Sequence, residues 1–271
     1  MKLDTKSILL AKAIRRASLE MVYNAKASHI GGALSMADIL AVLYNDILHV
    51  YPSNPEHSDR DRFLLSKGHA CSALYATLAL KGFFPVEDLS SYARDGSILL
   101  SHTSHHIPGI EFSAGSLGHA LPVSCGLALA AKRKNAKWRT FCLLSDGELD
   151  EGSNWEAILF APQLKLDNLI LIVDYNKIQS LGNVKDIIDL DPLNEKFKAF
   201  RWEVLEVDGH DHKLLKNTFL NANNLNDKPK VIIANTIKGK GVSFMENKLL
   251  WHYKSPSKEQ LDSAIIELSK P

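Results

Sequence analysis

The chain has 271 residues, of which 45% are hydrophobic and 23% are charged, and its formal net charge is +1. This length can bury a substantial core, and the near-neutral charge argues against nucleic acid or an anionic membrane as a partner. The three cysteines, Cys71, Cys125 and Cys142, stand far apart in apolar contexts. We therefore expect buried thiols in a reducing cytoplasm rather than disulfides.

The first segment in chain order, residues 7–23, has apolar residues at helical spacing and carries charge throughout. It predicts an amphipathic helix of the mature protein, and neither a signal peptide nor a membrane span. Residues 28–32 contain two glycines and predict a loop. Ser35 is then expected to cap a helix over residues 36–48, with Asp38 in its first turn.

The next segments alternate between strand and helix patterns. Residues 61–66 predict a short strand, and its exit turn contains His69 and leads into a helix over 70–81. Residues 90–116 are rich in Gly, Ser and His and show little periodicity, which is typical of a functional loop. Residues 115–118 then open a long apolar helix that extends to residue 131.

Residues 141–179 form the stretch around which we expect the chain to be organised. Apolar runs over 140–144 and 169–173 flank an apolar-periodic segment, which is the pattern of one βαβ unit. Asp146 follows the first run and Asn176 the second, so both should lie at the same edge of a parallel sheet. Their oxygens suit a hard cation such as Mg2+.

Gly147 adds a second feature to this edge. A glycine lets the backbone approach a diphosphate, and the N-terminus of the following helix favours negative charge. An ordinary nucleotide-fold unit without a cofactor remains the alternative at this point, since Asp-Gly after a strand is often only a turn.

Two further apolar runs, 202–207 and 231–236, predict additional strands. Strands that alternate with helices predict an α/β fold with a mostly parallel sheet and helices on both faces. No repeat or linker divides the sequence, so we expect a single domain over 1–271. The tail from about residue 255 reads as an appended C-terminal helix.

Four histidines follow loops at predicted strand or helix ends, and such loops should converge on one edge of the sheet: His29, His69, His102 and His252. A second interpretation groups His102 with His105 and His106 as a zinc cluster. Their spacing is poor for a closed zinc site, and no cysteine pair lies nearby.

The chain resembles the N-terminal half of transketolase over nearly its whole length, and its relative 1-deoxyxylulose-phosphate synthase shares several of the same motifs. The matching segments follow the family's order: SHIGGALSMAD (28–38), LSKGHA (65–70), SH (101–102) with PG (108–109), GSLGHAL (115–121), SDGELDEGSNWEA (145–157), KLDNLILIVDYNKIQ (165–179) and TIKGKGVSFMENKLLWH (236–252). The thiamine diphosphate motif of the family is GDG, some thirty residues and then N. Ser145 replaces its first glycine.

This resemblance implies a site for thiamine diphosphate and Mg2+, or another divalent cation such as Ca2+ or Mn2+. The implied metal ligands are Asp146, the side chain of Asn176 and the carbonyl of Ile178. The other implied cofactor contacts are His69 and Gly147 at the diphosphate and Gly115 and Leu117 near the aminopyrimidine.

The resemblance also implies the residues that act on substrate. His29 and His102 match residues that contact the ketose donor, and His252 lies where the family places a histidine near the diphosphate and substrate. Glu151 matches a buried glutamate that links two active sites across the subunit interface. In this family the cofactor serves as an electron sink for a two-carbon unit, and imidazoles suit the accompanying proton transfers.

A pyrimidine-binding domain follows the diphosphate domain in this family and carries the glutamate that activates the cofactor. The 271 residues end before such a domain, so we expect a split enzyme whose second subunit carries it, assembled as a 2+2 heterotetramer. Three functions stay open. They are a two-component transketolase acting on sugar phosphates, a thiamine diphosphate-dependent synthase for a specialised sugar, and a non-catalytic binding protein that has kept the fold.

Overall fold

The computed structural model describes residues 4–270 and contains one five-stranded sheet. The strands are β1 (Arg62–Leu65), β2 (Thr140–Ser145), β3 (Leu169–Tyr175), β4 (Glu203–Asp208) and β5 (Lys230–Asn235). Their order across the sheet is β1-β2-β3-β5-β4, and every neighbouring pair is parallel. The predicted α/β fold with a mostly parallel sheet is therefore confirmed.

Ten α-helices accompany the strands within residues 4–270: α1 (Asp4–Ala25), α2 (Ile30–Ser35), α3 (Ala37–Val42), α4 (Cys71–Leu80), α5 (Ala120–Arg133), α6 (Gly152–Gln163), α7 (Val184–Ile187), α8 (Leu193–Ala199), α9 (His212–Asn221) and α10 (Lys258–Ser269). Single turns of tighter or wider helix occur at Leu43–Ile47, Gly68–Ala70, Val86–Ser91, Gly147–Asp150 and Leu249–His252.

The central strands are continuous apolar runs because helices cover both faces of the sheet. Alternate residues of each strand join different clusters: Leu143 and Ile172 pack with α1, α3, α4 and α9, whereas Leu144 and Val173 pack with α5, α6 and α8. Every residue of β3 is buried. This explains why β2 and β3 were predicted from apolar runs alone to within two residues.

The predicted helix over 36–48 is confirmed as α3 followed by the wider turn at Leu43–Ile47, whereas the predicted loop over 28–32 was wrong from Ile30 onward. Helix α2 begins at Ile30 and includes both glycines, and His29 adopts the left-handed φ of 70° that turns the chain into it. A Cβ on Gly31 would lie 3.1 Å from Lys238 Cγ and 3.3 Å from the carbonyl oxygen of Trp251. This glycine therefore serves close packing rather than a flexible turn.

The expected cap at Ser35 was also wrong. Ser35 is the last residue of α2, and its hydroxyl makes hydrogen bonds to the Gly32 carbonyl and the Asp174 carboxylate. No side chain caps α3, which begins after Met36 and passes into the wider turn at Leu43–Ile47. A buried carboxylate binds a hydroxyl more strongly than a helix end does, because the bond is charge-assisted.

The tail forms α10, and a capping box between Ser257 and Gln260 stabilises the start of this helix. Leu261 and Ala264 are buried in the same cluster as α1, so this helix packs into the core. All three cysteines are buried and free. Among the described residues, no helix combines the length and apolar character needed to cross a membrane.

Candidate functional site

The site lies at the edge of the sheet where β1, β2, β3 and β5 end. The segments that follow these strands, joined by Gly32 of α2 and by Leu117 before α5, line a single cavity of about 250 Å3. Its lining residues are Gly32, Lys67, His69, Leu117, Ser145, Asp146, Gly147, Asp150, Glu151, Asn176, Ile178, Gln179, Ser180, Lys238 and His252. Parallel strands place all these segments together because their carboxyl ends point the same way. The registers align Ser145 of β2 with Asp174 of β3, and Tyr175 of β3 with Asn235 of β5.

Asp146 is the first residue after β2 and is only 1% exposed. Its carboxylate accepts hydrogen bonds from the backbone amide of Gly147, at 2.8 Å, and from that of Lys177 in the turn after β3. Burial, together with the nearby Asp174, raises the pKa of Asp146 to about 6. A cation beside this carboxylate would offset the cost of its burial.

Ser145, which stands where the family has glycine, is the last residue of β2. It does not have a positive φ. The backbone at this position therefore requires no conformation that only glycine adopts easily.

Asn176 and Ile178 lie in the turn after β3, opposite Asp146. The amide oxygen of Asn176 accepts a hydrogen bond from the backbone amide of Ile178 at 3.1 Å, and the Ile178 carbonyl accepts one from Lys238 Nζ at 2.8 Å. One carboxylate, one amide oxygen and one carbonyl thus belong to adjoining turns. This is an all-oxygen set of the kind that hard divalent cations prefer.

The backbone at Gly147 is also closely packed. A Cβ at this position would lie 2.6 Å from Gln179 Cβ, so a side chain would not fit without displacing the turn after β3. The cavity therefore combines oxygen ligands, a bare backbone and the cationic side chains of Lys67 and Lys238. These residues fit a diphosphate held through a divalent cation.

Beneath this cavity, Lys67 and Asp174 form an ion pair in which both side chains are at most 1% exposed. Lys67 Nζ also donates to the Gly32 carbonyl at 2.9 Å, and Ser35 and Thr236 donate to the Asp174 carboxylate. Burial alone would raise the pKa of Asp174, but Lys67 and these hydroxyl donors hold that pKa below its usual value. The pair joins the turns after β1 and β5 to the end of β3.

The four predicted histidines lie together. The ring of His29 has its centroid 4.9 Å from that of His252, 5.0 Å from that of His69 and 6.3 Å from that of His102. His69 and His252 line the cavity itself, with their centroids 5.6 Å apart. The structure therefore brings these side chains from four segments to one end of the cavity.

The pKa values of three of these imidazoles are depressed. Burial, then His102 and Lys238, lowers the pKa of His29 to about 4. Burial, then Lys238 and His29, lowers that of His252 to about 3, and burial followed by Lys67 lowers that of His69 well below its usual value. A neutral imidazole of this kind has one nitrogen that accepts a hydrogen bond and one that donates a hydrogen bond at neutral pH.

The loop that carries His102 lies against the turn that carries Gly115. A Cβ on Gly115 would lie 3.8 Å from the His102 ring, and Leu117 lines the cavity. Glu148 is fully buried and fixes this turn, since its carboxylate accepts hydrogen bonds from the Gly118 amide at 2.9 Å and from the Ser66 hydroxyl.

Glu151 lies at the rim of the cavity and is exposed. Farther along the loop, His105 stacks against His106 with centroids 4.1 Å apart and contacts Ser113, whereas His102 faces His29. Within residues 4–270, no three His, Cys, Asp or Glu side chains are grouped closely enough to hold a metal ion.

Several residues of the site were missed from the sequence, and they are charged or amide groups beside the predicted ones: Lys67, Glu148, Asp150, Asp174, Gln179 and Lys238. Lys238 lies within the segment that follows β5, and its approach to Ile178 depends on how β5 is placed beside β3. Its only sequence signal is a lysine that precedes a glycine shortly after an apolar run.

Comparison with known proteins agrees with this geometry. Residues 6–264 match the family model described as transketolase, thiamine diphosphate binding domain. A protein of Actinobacillus succinogenes, named as one of the subunits of an apulose-4-phosphate transketolase, is 45% identical, with 95% of this chain and 94% of that protein covered. A protein of the same name from Phocaeicola vulgatus is 43% identical, with 94% of this chain and 91% of that protein covered.

A third relative, 6-deoxy-6-sulfo-D-fructose transketolase subunit SqwG of a Clostridium species, is 41% identical, with 96% of this chain and 95% of that protein covered. Among solved structures, the transketolase of Campylobacter jejuni is similar with a TM-score of 0.92 and 32% identity over 99% of this chain. The chain spans only 43% of that transketolase, and 41% of the Leishmania mexicana enzyme, which has the same TM-score at 28% identity and 97% coverage of this chain. The chain therefore belongs to the transketolase family, as a protein built on its thiamine diphosphate-binding domain.

Proposed function

We propose that this protein is the thiamine diphosphate- and Mg2+-binding subunit of a two-component transketolase, and that it transfers a two-carbon ketol unit between sugar phosphates. The observation that carries the proposal is the single cavity where the oxygens of Asp146, Asn176 and Ile178 adjoin a cluster of four histidines. Metal ligands and proton-transfer groups at one edge of a parallel sheet are what a ketol transfer on a bound diphosphate cofactor requires.

The metal would be held by the Asp146 carboxylate, the Asn176 amide oxygen and the Ile178 carbonyl. Mg2+ is the first choice, and Ca2+ or Mn2+ would suit the same ligands. His69 and the bare backbone at Gly147 would lie against the diphosphate, and Gly115 and Leu117 against the aminopyrimidine. When bound, the cofactor supplies the electron sink for cleavage of a bond between two sugar carbons.

The histidines would hold and move protons on the sugar. His29 and His102 would contact the donor ketose, and His252 would lie near the diphosphate and the substrate. The depressed pKa values of His29 and His252 leave both rings neutral at neutral pH, so each can accept a hydrogen bond from a sugar hydroxyl. Lowered pKa values produced by burial in a cavity are typical of functional sites.

A second polypeptide would complete the site. The relatives of matching length are named as subunits of a transketolase, which supports a partner that carries the pyrimidine-binding domain. Exposed apolar side chains on α6, the helix that follows Glu151, support an interface on this side, with Leu159 60% and Phe160 46% exposed. Closed symmetry favours a 2+2 heterotetramer.

The loop 90–116 supports the same interface, since it exposes Ile98 by 57% and Leu100 by 51%. An obligate contact of this kind buries upwards of ~2,000 Å2. Glu151, which is exposed beside the cavity, would become buried there and link two active sites. The three free, buried cysteines support a location in the reducing cytoplasm.

The identity of the sugars separates the two enzyme candidates. The relatives are named for apulose-4-phosphate and for 6-deoxy-6-sulfo-D-fructose, which favours a specialised sugar over the common pentose phosphates. A panel of ketose donors and aldose phosphate acceptors, tested with the assembled complex, separates a general transketolase from a specialised synthase.

Cofactor binding tests the proposal against a non-catalytic protein that has kept the fold. We expect calorimetry of this chain mixed with its partner to show thiamine diphosphate binding with Mg2+ and its loss when EDTA removes the cation. Equal affinity with and without a divalent cation would contradict the metal assignment. Absence of binding under both conditions would support the non-catalytic alternative.

A further inference from the structure

Lys238 occupies an unusual place in the cavity, because its cationic head contacts an atom proposed as a metal ligand. Its side chain is only 3% exposed. Nζ donates to the Ile178 carbonyl at 2.8 Å and lies 3.3 Å from His252 Nδ1. The carbonyl that would bind the divalent cation is thus bound to an ammonium group.

The backbone that carries Lys238 is held from both sides. The Gly239 amide donates to the Gly31 carbonyl at 2.9 Å, and the Lys238 carbonyl accepts from the Asn247 amide at 2.9 Å. Gly239 has φ of +80°, and a Cβ there would lie 2.3 Å from the Met245 carbonyl oxygen. This segment is therefore poorly able to shift as a unit, and any change of partner must come from the side chain of Lys238.

A second anchor holds the residue before Lys238 and explains the Asp-Gly-His-Asp turn after β4. The Ile237 amide donates to His210 Nε2 at 2.8 Å, and His210 Nδ1 lies 2.7 Å from the Asp38 carboxylate. Asp38 is also bound by Arg15 and by His212 Nε2. The pair formed by His210 and Asp38 thus fixes where the Lys238 side chain begins.

An ammonium group and a divalent cation repel each other strongly when they share a ligand atom at such short range. Occupation of the Ile178 carbonyl by one of them therefore disfavours the other. The side chain of Lys238 has four rotatable bonds and lines the same cavity as Asp146 and Gly147, where the diphosphate would lie. The displaced ammonium can reach negative charge there without movement of its backbone.

We propose that Lys238 is a placeholder cation: its ammonium occupies the Ile178 carbonyl until a divalent cation binds, and it then turns toward the diphosphate. This inference rests on the function proposed above. Lys238 would then be a positioning residue that couples metal binding to cofactor binding. A metal ion that binds alone must displace the ammonium from the Ile178 carbonyl, whereas a metal ion that binds with the diphosphate gives the ammonium a new partner. A metal ion without cofactor should consequently bind weakly.

The substitution Lys238→Met should then have two opposite effects. Without cofactor, the variant should bind Mn2+ about tenfold more tightly than the wild type, because the competing charge is gone. With saturating Mn2+, it should bind thiamine diphosphate about tenfold more weakly, because a cation that would face the diphosphate has been removed. A residue that only supports the fold would weaken both.

The measurement is Mn2+ affinity of the full chain mixed with its partner by electron paramagnetic resonance, followed by calorimetric titration of thiamine diphosphate into the same mixture at saturating Mn2+. Lys240→Met is the matched control, since Lys240 lies on the same segment and contacts Glu246 at 3.7 Å. It removes the same charge and should leave both affinities at wild-type values. Unchanged or weaker Mn2+ binding in Lys238→Met would overturn the inference.

Two further outcomes separate this inference from the proposed function. If the wild type, mixed with its partner, binds neither Mn2+ nor thiamine diphosphate, the proposed function fails, and the placeholder fails with it. If Lys238→Met does not fold, a crystal structure of the wild type with Mg2+ and thiamine diphosphate decides. We expect Lys238 Nζ to have left hydrogen-bond distance of the Ile178 carbonyl, and persistence of that contact beside a bound metal would refute the exchange.

Discussion

The backbone amide of His29 donates to the carbonyl of His252 at 3.0 Å, and their imidazole rings meet edge to face with centroids 4.9 Å apart. Two segments from opposite ends of the chain are therefore joined at the cavity. His29 has a left-handed backbone with φ of 70°, which is uncommon for a residue with a side chain. Backbone strain of this kind is typical of functional sites, where the surrounding contacts maintain it.

The metal assignment predicts the effect of Asp146→Asn. The substitution removes the carboxylate charge but keeps a similar shape, so the fold should persist. Mg2+-dependent affinity for thiamine diphosphate should fall by at least ~10–100-fold, the range seen when even indirect metal contacts are lost. Calorimetry with the partner present measures this, and Asp186→Asn, an exposed site outside the cavity, is the control. Wild-type affinity in a folded Asp146→Asn protein would disprove the assignment.

The donor-binding role of His102 predicts a loss of turnover without a loss of cofactor. His102→Ala should leave thiamine diphosphate affinity nearly unchanged and lower turnover by ~10²–10⁴-fold, if the imidazole transfers protons. His105→Ala is the matched control, because His105 is exposed on the same loop and contacts Ser113. A loss of cofactor affinity in His102→Ala would instead assign His102 to the cofactor site, and unchanged turnover would leave it without a catalytic role.

The depressed pKa of His29 predicts a pH-dependent contribution to stability. Its pKa is about 4 in the folded protein and near 6.5 when unfolded. Below pH 6.5 the unfolded state therefore takes up a proton that the folded state does not, and stability is lost as the pH falls toward 4. Above pH 6.5 neither state binds the proton, and the effect vanishes.

Urea unfolding of the wild type and of His29→Asn between pH 7.5 and 4.5 measures this contribution. The variant should lose less free energy of unfolding than the wild type over that interval. Asp146, with its raised pKa, contributes in the opposite direction, but it is present in both proteins and cancels in the difference. Parallel pH profiles would show that His29 titrates alike in both states.

The buried pair of Lys67 and Asp174 predicts strong coupling between two substitutions. Lys67→Met should destabilise the fold by about 3–5 kcal/mol, because it leaves a buried carboxylate without its counter-ion. Adding Asp174→Asn should recover much of that loss, since the amide keeps hydrogen-bond partners in Ser35 and Thr236. A double-mutant cycle by urea unfolding measures the coupling, with the exposed pair Lys165 and Asp227 as the control that should show little. Additive losses at Lys67 and Asp174 would contradict the account.

Much of the fold could be predicted from the sequence, because the buried strands of a parallel sheet consist of uninterrupted apolar residues. The ends of β2 and β3 located Asp146 and Asn176, and parallel topology then required their turns to adjoin. Helix α1 followed from its amphipathic spacing and extends two or three residues beyond the predicted bounds at each end. These features depend on local patterns, which a single sequence records well.

Other features depend on contacts between distant segments and have no local signal. Asp38 was expected to support a helix terminus, yet it is enclosed by Arg15, His210 and His212. Ser35, at the break between α2 and α3, donates a hydrogen bond to Asp174, a distant residue on β3. Lys238 reaches Ile178 only because β5 lies between β3 and β4, an order that spacing along the chain does not reveal.

A reconstitution assay tests whether this chain provides one half of a shared active site. Ketol transfer is measured with this chain, with a chain that carries the pyrimidine-binding domain, and with both mixed, each with Mg2+, thiamine diphosphate and a panel of ketose donors. We expect activity only in the mixture, in a complex that contains equal numbers of the two chains. Robust ketol transfer by this chain alone would show that it needs no second subunit.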